Sequence, residues 1–386
     1  MLLLTAASVT AGILMVQITL LPFMVRYNKA FRRKLIFSNC INYPSKVDYD
    51  HPSQYNLVNC HNFKIKYIAR PSGEHVEIGV WIVFPSPKPQ KSDEVSTKEF
   101  LENELRSSKL PIVLYCHGNS NHRASPERLC LYKVFQRLNF NVIAFDYRGY
   151  GDSIRIRPTE EGVVEDTFHV YSWLRSCLDE QDPPVVFLWG HSLGSAIAAH
   201  LSSELPSLCK KYGIPELQAV DALVMDAPFN NLNESVACHP YSKLVSWLPY
   251  FKKTVLDPLA TSDEYSFATD VYLSTCHHLP ILILHSEFDK IVPFTLALKL
   301  HSVIQLSRVA QGYDTPVLLH IFPKAMKLGH NNIYCAPNLP QVLLFFLNQI
   351  PRLQDFQLSM NTQSINMCGR RCRHCRRGKQ QCTQFM

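Results

Sequence analysis

The first 25 residues contain no charged side chain, although Asp, Glu, Lys and Arg make up 18% of the whole chain. This absence leaves an apolar run long enough to cross a bilayer core of about 30 Å at about 1.5 Å per residue. The run also lacks the preceding basic residue and the small-x-small site that mark a cleaved signal peptide. We therefore predict a retained transmembrane anchor at residues 1–25. A signal peptide and a surface-lying hairpin interrupted at Pro22 are the alternatives.

A net positive charge is missing from the body of the chain, in spite of a formal net charge of +7. Five Lys and Arg residues lie between Arg26 and Lys34, and seven more lie from Arg352 onward, so the remainder of the chain is net negative. A nucleic-acid groove needs basic residues across one face, and we exclude that class of partner. Positive clusters at the two ends instead favour contact with anionic lipid.

A tight cysteine framework is also missing, because the 13 cysteines are odd in number and show no set of paired spacings. This excludes a disulfide-stapled scaffold. The C-terminal cysteines have the spacing C-x3-C-x2-C-x6-C, which lacks the second C-x-x-C pair of a four-cysteine zinc site. We expect no metal, and we interpret residues 351–386 as a basic, disordered tail. Lipidation or adhesion to a membrane surface is the alternative.

From residue 111 onward, short apolar runs alternate with helical patterns, which is typical of a mostly parallel sheet with helices on both faces. The predicted strands are Ile112–Cys116, Val142–Asp146, Val185–Trp189, Ala222–Met225, Ile281–Leu284 and Val317–Phe322. Earlier, residues 63–70 and 77–84 predict a hairpin, and the proline-rich stretch 85–109 predicts a surface insertion. We therefore predict one α/β domain over residues 63–350, preceded by a basic juxtamembrane segment at 26–62 that lies mostly along the membrane surface.

The stretch from Gly190 to Gly194 has the pattern G-x-S-x-G between an apolar strand and a helix rich in small residues. Neither glycine has a Cβ, so the backbone can double back sharply there. Such a corner holds the hydroxyl of Ser192 free at the carboxyl end of the sheet, close to the positive end of the helix dipole. Ser192 is therefore the predicted nucleophile. The alternative is an idle serine in a glycine-rich turn.

A second turn follows the first predicted parallel strand, in the sequence His117-Gly118-Asn119. Gly118 allows a peptide N–H to face a ligand, and we predict that the backbone N–H groups of Asn119 and Leu193 form an oxyanion hole. Two preset donors of this kind typically stabilise a transition state by several kcal/mol. His117 is expected to pack and to orient the loop rather than to act in catalysis.

A serine hydroxyl needs a base, and the base needs an acid that orients it. In this architecture the three are expected in the chain order serine, acid, histidine. Asp289 lies in the loop after the strand 281–284 and is the predicted acid, with Glu287 and Asp226 as rivals. His330 lies in the loop after the final strand, and we predict that it is the base.

Several motifs together resemble the α/β-hydrolase superfamily: HGN at 117–119, DYRGYGDS at 146–153, GHSLG at 190–194, DAPF at 226–229, LHSEFDKIVP at 284–293 and GH at 329–330. More closely, the chain resembles the membrane-anchored lysophosphatidylserine lipases. The similarity to that subfamily lies in PTEEG at 158–162 and in the run of NNLNES, HPYSKL and LDP that ends at residue 258. The resemblance covers roughly residues 75–350.

This resemblance implies an α/β-hydrolase fold and a serine lipase with Ser192, Asp289 and His330 as its triad. The implied substrates are lysophospholipids, monoacylglycerols and oxidised phosphatidylserine, without a metal or organic cofactor. It also implies a single-pass protein of the endoplasmic reticulum membrane whose catalytic domain faces the lumen or the outside, whereas the basic cluster at 26–34 alone predicts a cytosolic domain. An acyl-protein thioesterase with the same triad and a non-catalytic membrane scaffold are the alternatives.

The stretch 229–278, between the strand at 222–225 and the acid loop, is predicted to form a helical cap over the nucleophile. Its large apolar and aromatic residues include Tyr241, Leu244, Trp247, Leu248, Tyr250 and Phe251. Our hypothesis is an apolar lid that admits an acyl chain and docks on the membrane. The alternative is a cap whose aromatic side chains are buried in the core.

Overall fold

The computed structural model describes residues 12, 14–85 and 98–350. Its centre is one eight-stranded sheet with the strand order β1-β2-β4-β3-β5-β6-β7-β8. The strands are β1 Cys60–Ile68, β2 His75–Val83, β3 Ile112–Cys116, β4 Asn141–Phe145, β5 Val186–His191, β6 Ala222–Asp226, β7 Ile281–Ser286 and β8 Val317–Phe322.

The sheet is parallel except at its N-terminal hairpin. β1 pairs antiparallel with β2, and β2 pairs antiparallel with β4. Every pair from β4 through β3 to β8 is parallel. β3, β4 and β5 are buried along their whole length because packed residues cover both faces. The prediction of a mostly parallel sheet is confirmed, and the loops after β3, β5, β6, β7 and β8 share one edge.

Helices cover the two faces of this sheet. Within the described ranges the α-helices are α1 Leu21–Tyr27, α2 Lys29–Ile36, α3 Lys98–Ser107, α4 Pro126–Arg137, α5 Glu160–Cys177, α6 Leu193–Tyr212, α7 Leu232–Cys238, α8 Asp257–Ala260, α9 Thr269–Ser274, α10 Phe294–Gln311 and α11 Leu339–Leu347. Local chemistry sets where they begin. α4 starts at a proline, and the Thr159 side chain caps α5 by accepting a hydrogen bond from Gly162 N at 3.1 Å.

The predicted surface insertion at 85–109 contains α3, a helix that the sequence analysis did not predict. α3 buries Leu101 and Leu105, which are four residues apart and therefore lie on one helix face. The prolines at 85, 87 and 89 favoured an irregular segment, but they all precede the helix. Residues 86–97 lie outside the described part of the chain.

The predicted anchor at 1–25 is only partly covered by the structure. Residues 1–11 and 13 lie outside the described residues, and within the described ranges no helix is both long and apolar enough to cross a membrane. The covered part is helical, because a π-helix at Val16–Leu20 continues into α1. The predicted tail at 351–386 also lies outside the described residues. Among those that are described, no group of three or more His, Cys, Asp or Glu could hold a metal ion.

The segment after α2 packs on the sheet domain. Phe37 is buried, with its ring centroid 6.5 Å from that of Tyr265 and 5.9 Å from that of Phe267. Further along, the guanidinium of Arg123 lies 4.1 Å from the ring centroid of Tyr49. The predicted domain boundary at residue 63 therefore divides residues that pack together. The segment shows no apolar periodicity from which these partners could be predicted.

Candidate active site

Ser192 occupies the turn between β5 and α6. Its backbone has φ 53° and ψ −118°, a conformation that residues with a Cβ rarely adopt. Both neighbouring glycines are required by close approach of the backbone. A Cβ on Gly190 would lie 2.4 Å from the Ser195 Cα, and a Cβ on Gly194 would lie 2.0 Å from the Cys116 carbonyl oxygen. The strained corner expected from G-x-S-x-G is therefore present, with Ser192 at its apex.

The side chains of Ser192, Asp289 and His330 meet at the carboxyl edge of the sheet. His330 Nε2 lies 2.9 Å from Ser192 Oγ, and His330 Nδ1 lies 2.7 Å from Asp289 Oδ2. The His330 side chain is 10% exposed and the Asp289 side chain 1%. Loops after β5, β7 and β8 thus bring a hydroxyl, an imidazole and a carboxylate into one chain of hydrogen bonds. This arrangement can activate a serine for attack on a carbonyl carbon.

Asp289 is held by its own loop. Its Oδ1 accepts hydrogen bonds from the backbone N–H groups of Ile291 at 2.8 Å and Val292 at 3.0 Å, which leaves Oδ2 for His330. Burial raises the pKa of Asp289, but the hydrogen bond and charge of His330 outweigh it and hold the pKa below its ordinary value. The carboxylate therefore stays ionised, and Nδ1 of His330 carries the proton that lies between the two residues.

The two rival acids have other environments. Glu287 is exposed, and its Oε2 accepts a hydrogen bond from the backbone N–H of Lys324 at 2.7 Å. Asp226 is buried, and burial together with the nearby charge of Asp289 raises its pKa well above the usual range. A carboxyl group that is neutral stabilises an imidazolium less than a carboxylate does. Of the three acids, Asp289 is the one hydrogen-bonded to His330.

The loop after β3 is oriented by His117. Its Nδ1 lies 2.7 Å from the Gly118 carbonyl oxygen, and burial lowers the pKa of His117 well below its ordinary value, so a neutral ring donates there. The C=O and N–H of a trans peptide point in opposite directions, so the Asn119 N–H points away from this ring. The Tyr150 hydroxyl holds the Asn119 carbonyl at 2.9 Å.

This loop lies directly against the start of α6. A Cβ on Gly194 would clash with the Cys116 carbonyl oxygen, as described above, and would also lie 2.6 Å from the His117 carbonyl oxygen. The loop that carries Asn119 therefore lies against the turn that carries Leu193, the second predicted oxyanion donor. Within the described ranges, neither backbone N–H donates to a protein acceptor. Both donors are thus available to a ligand oxygen, although their role stays a prediction.

His191 also contacts the site, although no sequence pattern predicts a role for it. Its Nε2 lies 3.0 Å from the carbonyl oxygen of His330. The one feature of the sequence that pointed to His191 was its position directly before Ser192. Its partner comes from a loop 139 residues away, which no local pattern identifies.

The insertion between β6 and β7 contains a 3₁₀-helix at Pro240–Leu244 followed by turns, and together they form a ladder of hydrogen bonds that repeats every three residues. The N–H groups of residues 242, 245, 248 and 251 donate to the carbonyls of residues 239, 242, 245 and 248 at 2.9–3.0 Å. Burial follows the same repeat, so the residues fall into lines whose members are three positions apart. One line buries Val245, Leu248 and Phe251. The next line exposes Tyr241, Leu244 and Trp247 by 74%, 52% and 57%. The lid hypothesis and its alternative therefore each describe different residues of the cap.

The N-terminal helical segment packs against this ladder. The Tyr250 hydroxyl donates to the Ile18 carbonyl at 2.6 Å, and the Gln17 side chain donates to the Leu244 carbonyl. The rings of Phe23 and Tyr250 lie 6.4 Å apart between centroids. The two segments share one exposed surface, which we call the apolar face and define by Phe23, Tyr27, Tyr241, Leu244 and Trp247.

Comparison with known proteins finds relatives along most of the chain. A family model described as alpha/beta hydrolase fold matches residues 111–214. The chain is 34% identical over 329 residues to lysophosphatidylserine lipase ABHD12 of Xenopus tropicalis, which covers 85% of this chain and 79% of that protein. It is 36% identical over 333 residues to ABHD12 of Rattus norvegicus, covering 85% and 77%. It is 33% identical over 320 residues to protein ABHD12B of Homo sapiens, covering 82% and 80%.

Solved structures share the architecture at low sequence identity. An alpha-beta hydrolase from Vibrio vulnificus matches with a TM-score of 0.54 and 16% identity, covering 81% of this chain and 92% of that one. An esterase from Pyrococcus furiosus matches with a TM-score of 0.50 and 14% identity, covering 82% and 97%. At such identities the likeness concerns the fold alone, and the prediction of an α/β-hydrolase fold is confirmed.

Proposed function

This chain belongs to the ABHD12 family of α/β hydrolases, and we propose that it is a serine lipase that cleaves the acyl esters of lysophosphatidylserine, other lysophospholipids and monoacylglycerols. The observation that carries this proposal is the hydrogen-bonded chain from Ser192 through His330 to Asp289, with distances of 2.9 and 2.7 Å. The lipid class comes from the curated relatives, which are named as lysophosphatidylserine lipases.

Acylation begins at Ser192. Its Oγ attacks the ester carbonyl carbon while His330 Nε2 takes the Oγ proton. The negative charge that develops on the carbonyl oxygen is stabilised by the N–H groups of Asn119 and Leu193, which are preset and need no reorganisation. Asp289 keeps the proton of His330 on Nδ1 and stabilises the imidazolium while it exists.

The attack gives a tetrahedral intermediate, which then collapses. The bond between the acyl carbon and the glycerol oxygen breaks, and His330 donates its new Nε2 proton to the leaving alcohol. The acyl group remains on Ser192. Water next gives a proton to His330 and attacks the acyl carbon. The fatty acid leaves, and His330 returns the proton to the Ser192 oxygen. The cycle starts and ends with neutral imidazole and free hydroxyl.

The test replaces Ser192 by Ala and uses Ser202→Ala as the matched control. Ser202 lies on α6, the helix that follows Ser192, and donates to the Ala198 carbonyl at 2.8 Å, away from the triad. We expect Ser192→Ala to lose fluorophosphonate labelling and at least about 10³-fold of lysophosphatidylserine turnover, and the control to keep both. Undiminished labelling of the Ser192→Ala variant would refute the assignment of Ser192 as the nucleophile. Turnover of a palmitoyl thioester without turnover of lysolipid would support the thioesterase instead.

We also propose that the protein is attached to a membrane through its apolar N-terminus and the apolar face. Exposed aromatic residues beside basic side chains are typical of a bilayer interface. Arg26 and Lys29 lie on the N-terminal helices, and Lys252 and Lys253 lie on the cap beside them. A bilayer seated there would deliver acyl chains to the cap. A single span at 1–25 stays a prediction from the apolar run, and a location in the endoplasmic reticulum stays a prediction from the family resemblance.

The apolar face is tested with the double variant Leu244→Ser/Trp247→Ser. Its control is Val309→Ser, an apolar side chain on α10 that is 76% exposed. We expect the double variant to lose turnover of lysophosphatidylserine in phosphatidylcholine vesicles and to keep turnover of a short soluble ester. An equal loss on both substrates would contradict a role in lipid access. So would an equal effect of Val309→Ser.

A further inference from the structure

His191 lies where three loops of the site meet. It ends β5 and directly precedes Ser192. Its Nε2 lies 3.0 Å from the His330 carbonyl oxygen, and the two imidazole centroids are 5.1 Å apart. On its other side, a Cβ on Gly118 would lie 3.0 Å from His191 Nδ1. One imidazole thus contacts the loop of the base and the loop of the oxyanion donor, while the chain joins it to the nucleophile.

The protonation of this ring follows from its partner. A carbonyl oxygen only accepts hydrogen bonds, so the contact requires a proton on His191 Nε2. His191 is 8% exposed, and burial followed by the charge of His330 lowers its pKa to about 3. Arg128 lowers this pKa further, and Asp289 acts in the opposite direction. The ring is therefore neutral at physiological pH, with its proton on Nε2 and none on Nδ1.

The loop that carries His330 is anchored on both sides of Gly329. The Ser286 hydroxyl donates to the Leu328 carbonyl at 2.7 Å, and His191 donates to the His330 carbonyl. In the described part of the chain, His191 makes the one hydrogen bond to that carbonyl. Loss of this anchor would free the backbone that sets the position of the His330 ring.

We propose that His191 is a positioning residue whose Nε2–H holds the His330 carbonyl, and so keeps the His330 ring within reach of both Ser192 and Asp289. This inference rests on the proposed function, in which His330 is the base. His191 is buried, so it presents almost no surface to a substrate. Its contribution therefore concerns the rate of acylation rather than the affinity for the lipid.

The test compares two unbranched side chains of similar size, His191→Gln and His191→Met. Gln retains an N–H donor at about the same distance from the backbone, whereas Met has none. We expect His191→Met to lower kcat and the rate of fluorophosphonate labelling by about 10- to 100-fold, with KM within about twofold. His191→Gln should recover most of that loss at the same melting temperature. Equal rates for the two variants would overturn the proposal.

Failure of this inference and failure of the proposed function give different results. If the wild-type protein reacts with neither the fluorophosphonate nor an ester, the proposed function as a serine hydrolase is contradicted. Wild-type protein that reacts, together with equal Gln and Met variants, would contradict only the role of His191. If His191→Met does not fold, ¹⁵N-histidine NMR of the wild type decides. We expect a neutral Nε2–H tautomer for His191 from pH 5 to 8. An Nδ1–H tautomer would refute the hydrogen bond, because its Nε2 carries no proton to donate.

Discussion

Replacing Asp289 by Asn should disable the base without removing it. The introduced amide would place its carbonyl oxygen where Oδ1 now accepts the N–H groups of Ile291 and Val292, because an amide NH₂ cannot face two donors. Its NH₂ group would then face His330 Nδ1. That nitrogen would have to accept a hydrogen bond, which moves the imidazole proton to Nε2. The nitrogen beside Ser192 would become a donor and could no longer take the serine proton.

The size of the effect follows from this tautomer change. A wrong tautomer in an otherwise intact triad costs about 10⁴-fold in kcat in the reference serine proteases, and we expect a loss of about 10³- to 10⁴-fold here. That loss corresponds to about 4–5.5 kcal/mol of transition-state stabilisation. The assay is kcat for lysophosphatidylserine, together with the second-order rate of fluorophosphonate labelling, which reports acylation alone. The melting temperature checks that the variant is folded.

The matched control is Asp226→Asn, which makes the same change at the next strand end. Burial and the charge of Asp289 raise the pKa of Asp226 well above its ordinary value, which favours the neutral carboxyl form that Asn resembles. We expect less than about a fivefold loss of kcat, because no ionised carboxylate is removed. A large loss in Asp226→Asn beside near-normal activity in Asp289→Asn would refute the assignment of the acid.

Three further outcomes concern folding and pH. Gly194→Ala should destabilise the protein by about 3 kcal/mol or more, because its Cβ would lie 2.0 Å from the Cys116 carbonyl oxygen; thermal denaturation measures this. Arg123→Met should cost about 3–5 kcal/mol in urea unfolding, because it leaves the buried Asp146 carboxylate, now 2.6 Å from the guanidinium, without its partner. Asp289 has a lower pKa in the folded state than the value of 3.8 expected in the unfolded state, so its ionised form stabilises the fold above pH 3.8. This stabilisation is lost as the pH falls through the lower, folded-state pKa. The difference in unfolding free energy between wild type and Asp289→Asn should therefore shrink below about pH 4, and a constant difference down to pH 2 would contradict it.

Local sequence was sufficient where an element carries its own signal. The predicted strands at 112–116 and 317–322 have the observed bounds. The strand at 112–116 is buried along its whole length and is therefore a continuous apolar run, whereas the edge strand at 317–322 is buried only at its two ends. The signal of the nucleophile turn is also local, because Gly190 and Gly194 lie within five residues and Gly190 is required by contacts inside the turn. The close approach that requires Gly194 comes from Cys116, on a strand that is distant in sequence. Helix α3 was missed because only two residues, Leu101 and Leu105, signal its buried face.

Contacts between distant segments could not be predicted in this way. The packing of the N-terminal helix on the cap joins residues 227 or more apart, as in the hydrogen bond from Gln17 to Leu244. The sequence also left open whether the cap exposes its aromatic residues. In the structure Trp247 is exposed and Phe251 is buried. They are four residues apart, so they belong to two different lines of the ladder, whose members repeat every three residues.

What the chain determines by itself is an α/β hydrolase with its reactive groups on the loops after the strands, since apolar runs and glycine turns are local properties. Only the tertiary structure decides which acid serves His330 and which side chain anchors its loop. Asp289 differs from Asp226 by its hydrogen bonds and charge partners, and His191 gains its role from a carbonyl in a remote loop. Burial and pairing belong to the assembled fold, and it is burial and pairing that give a carboxyl group or an imidazole its protonation state.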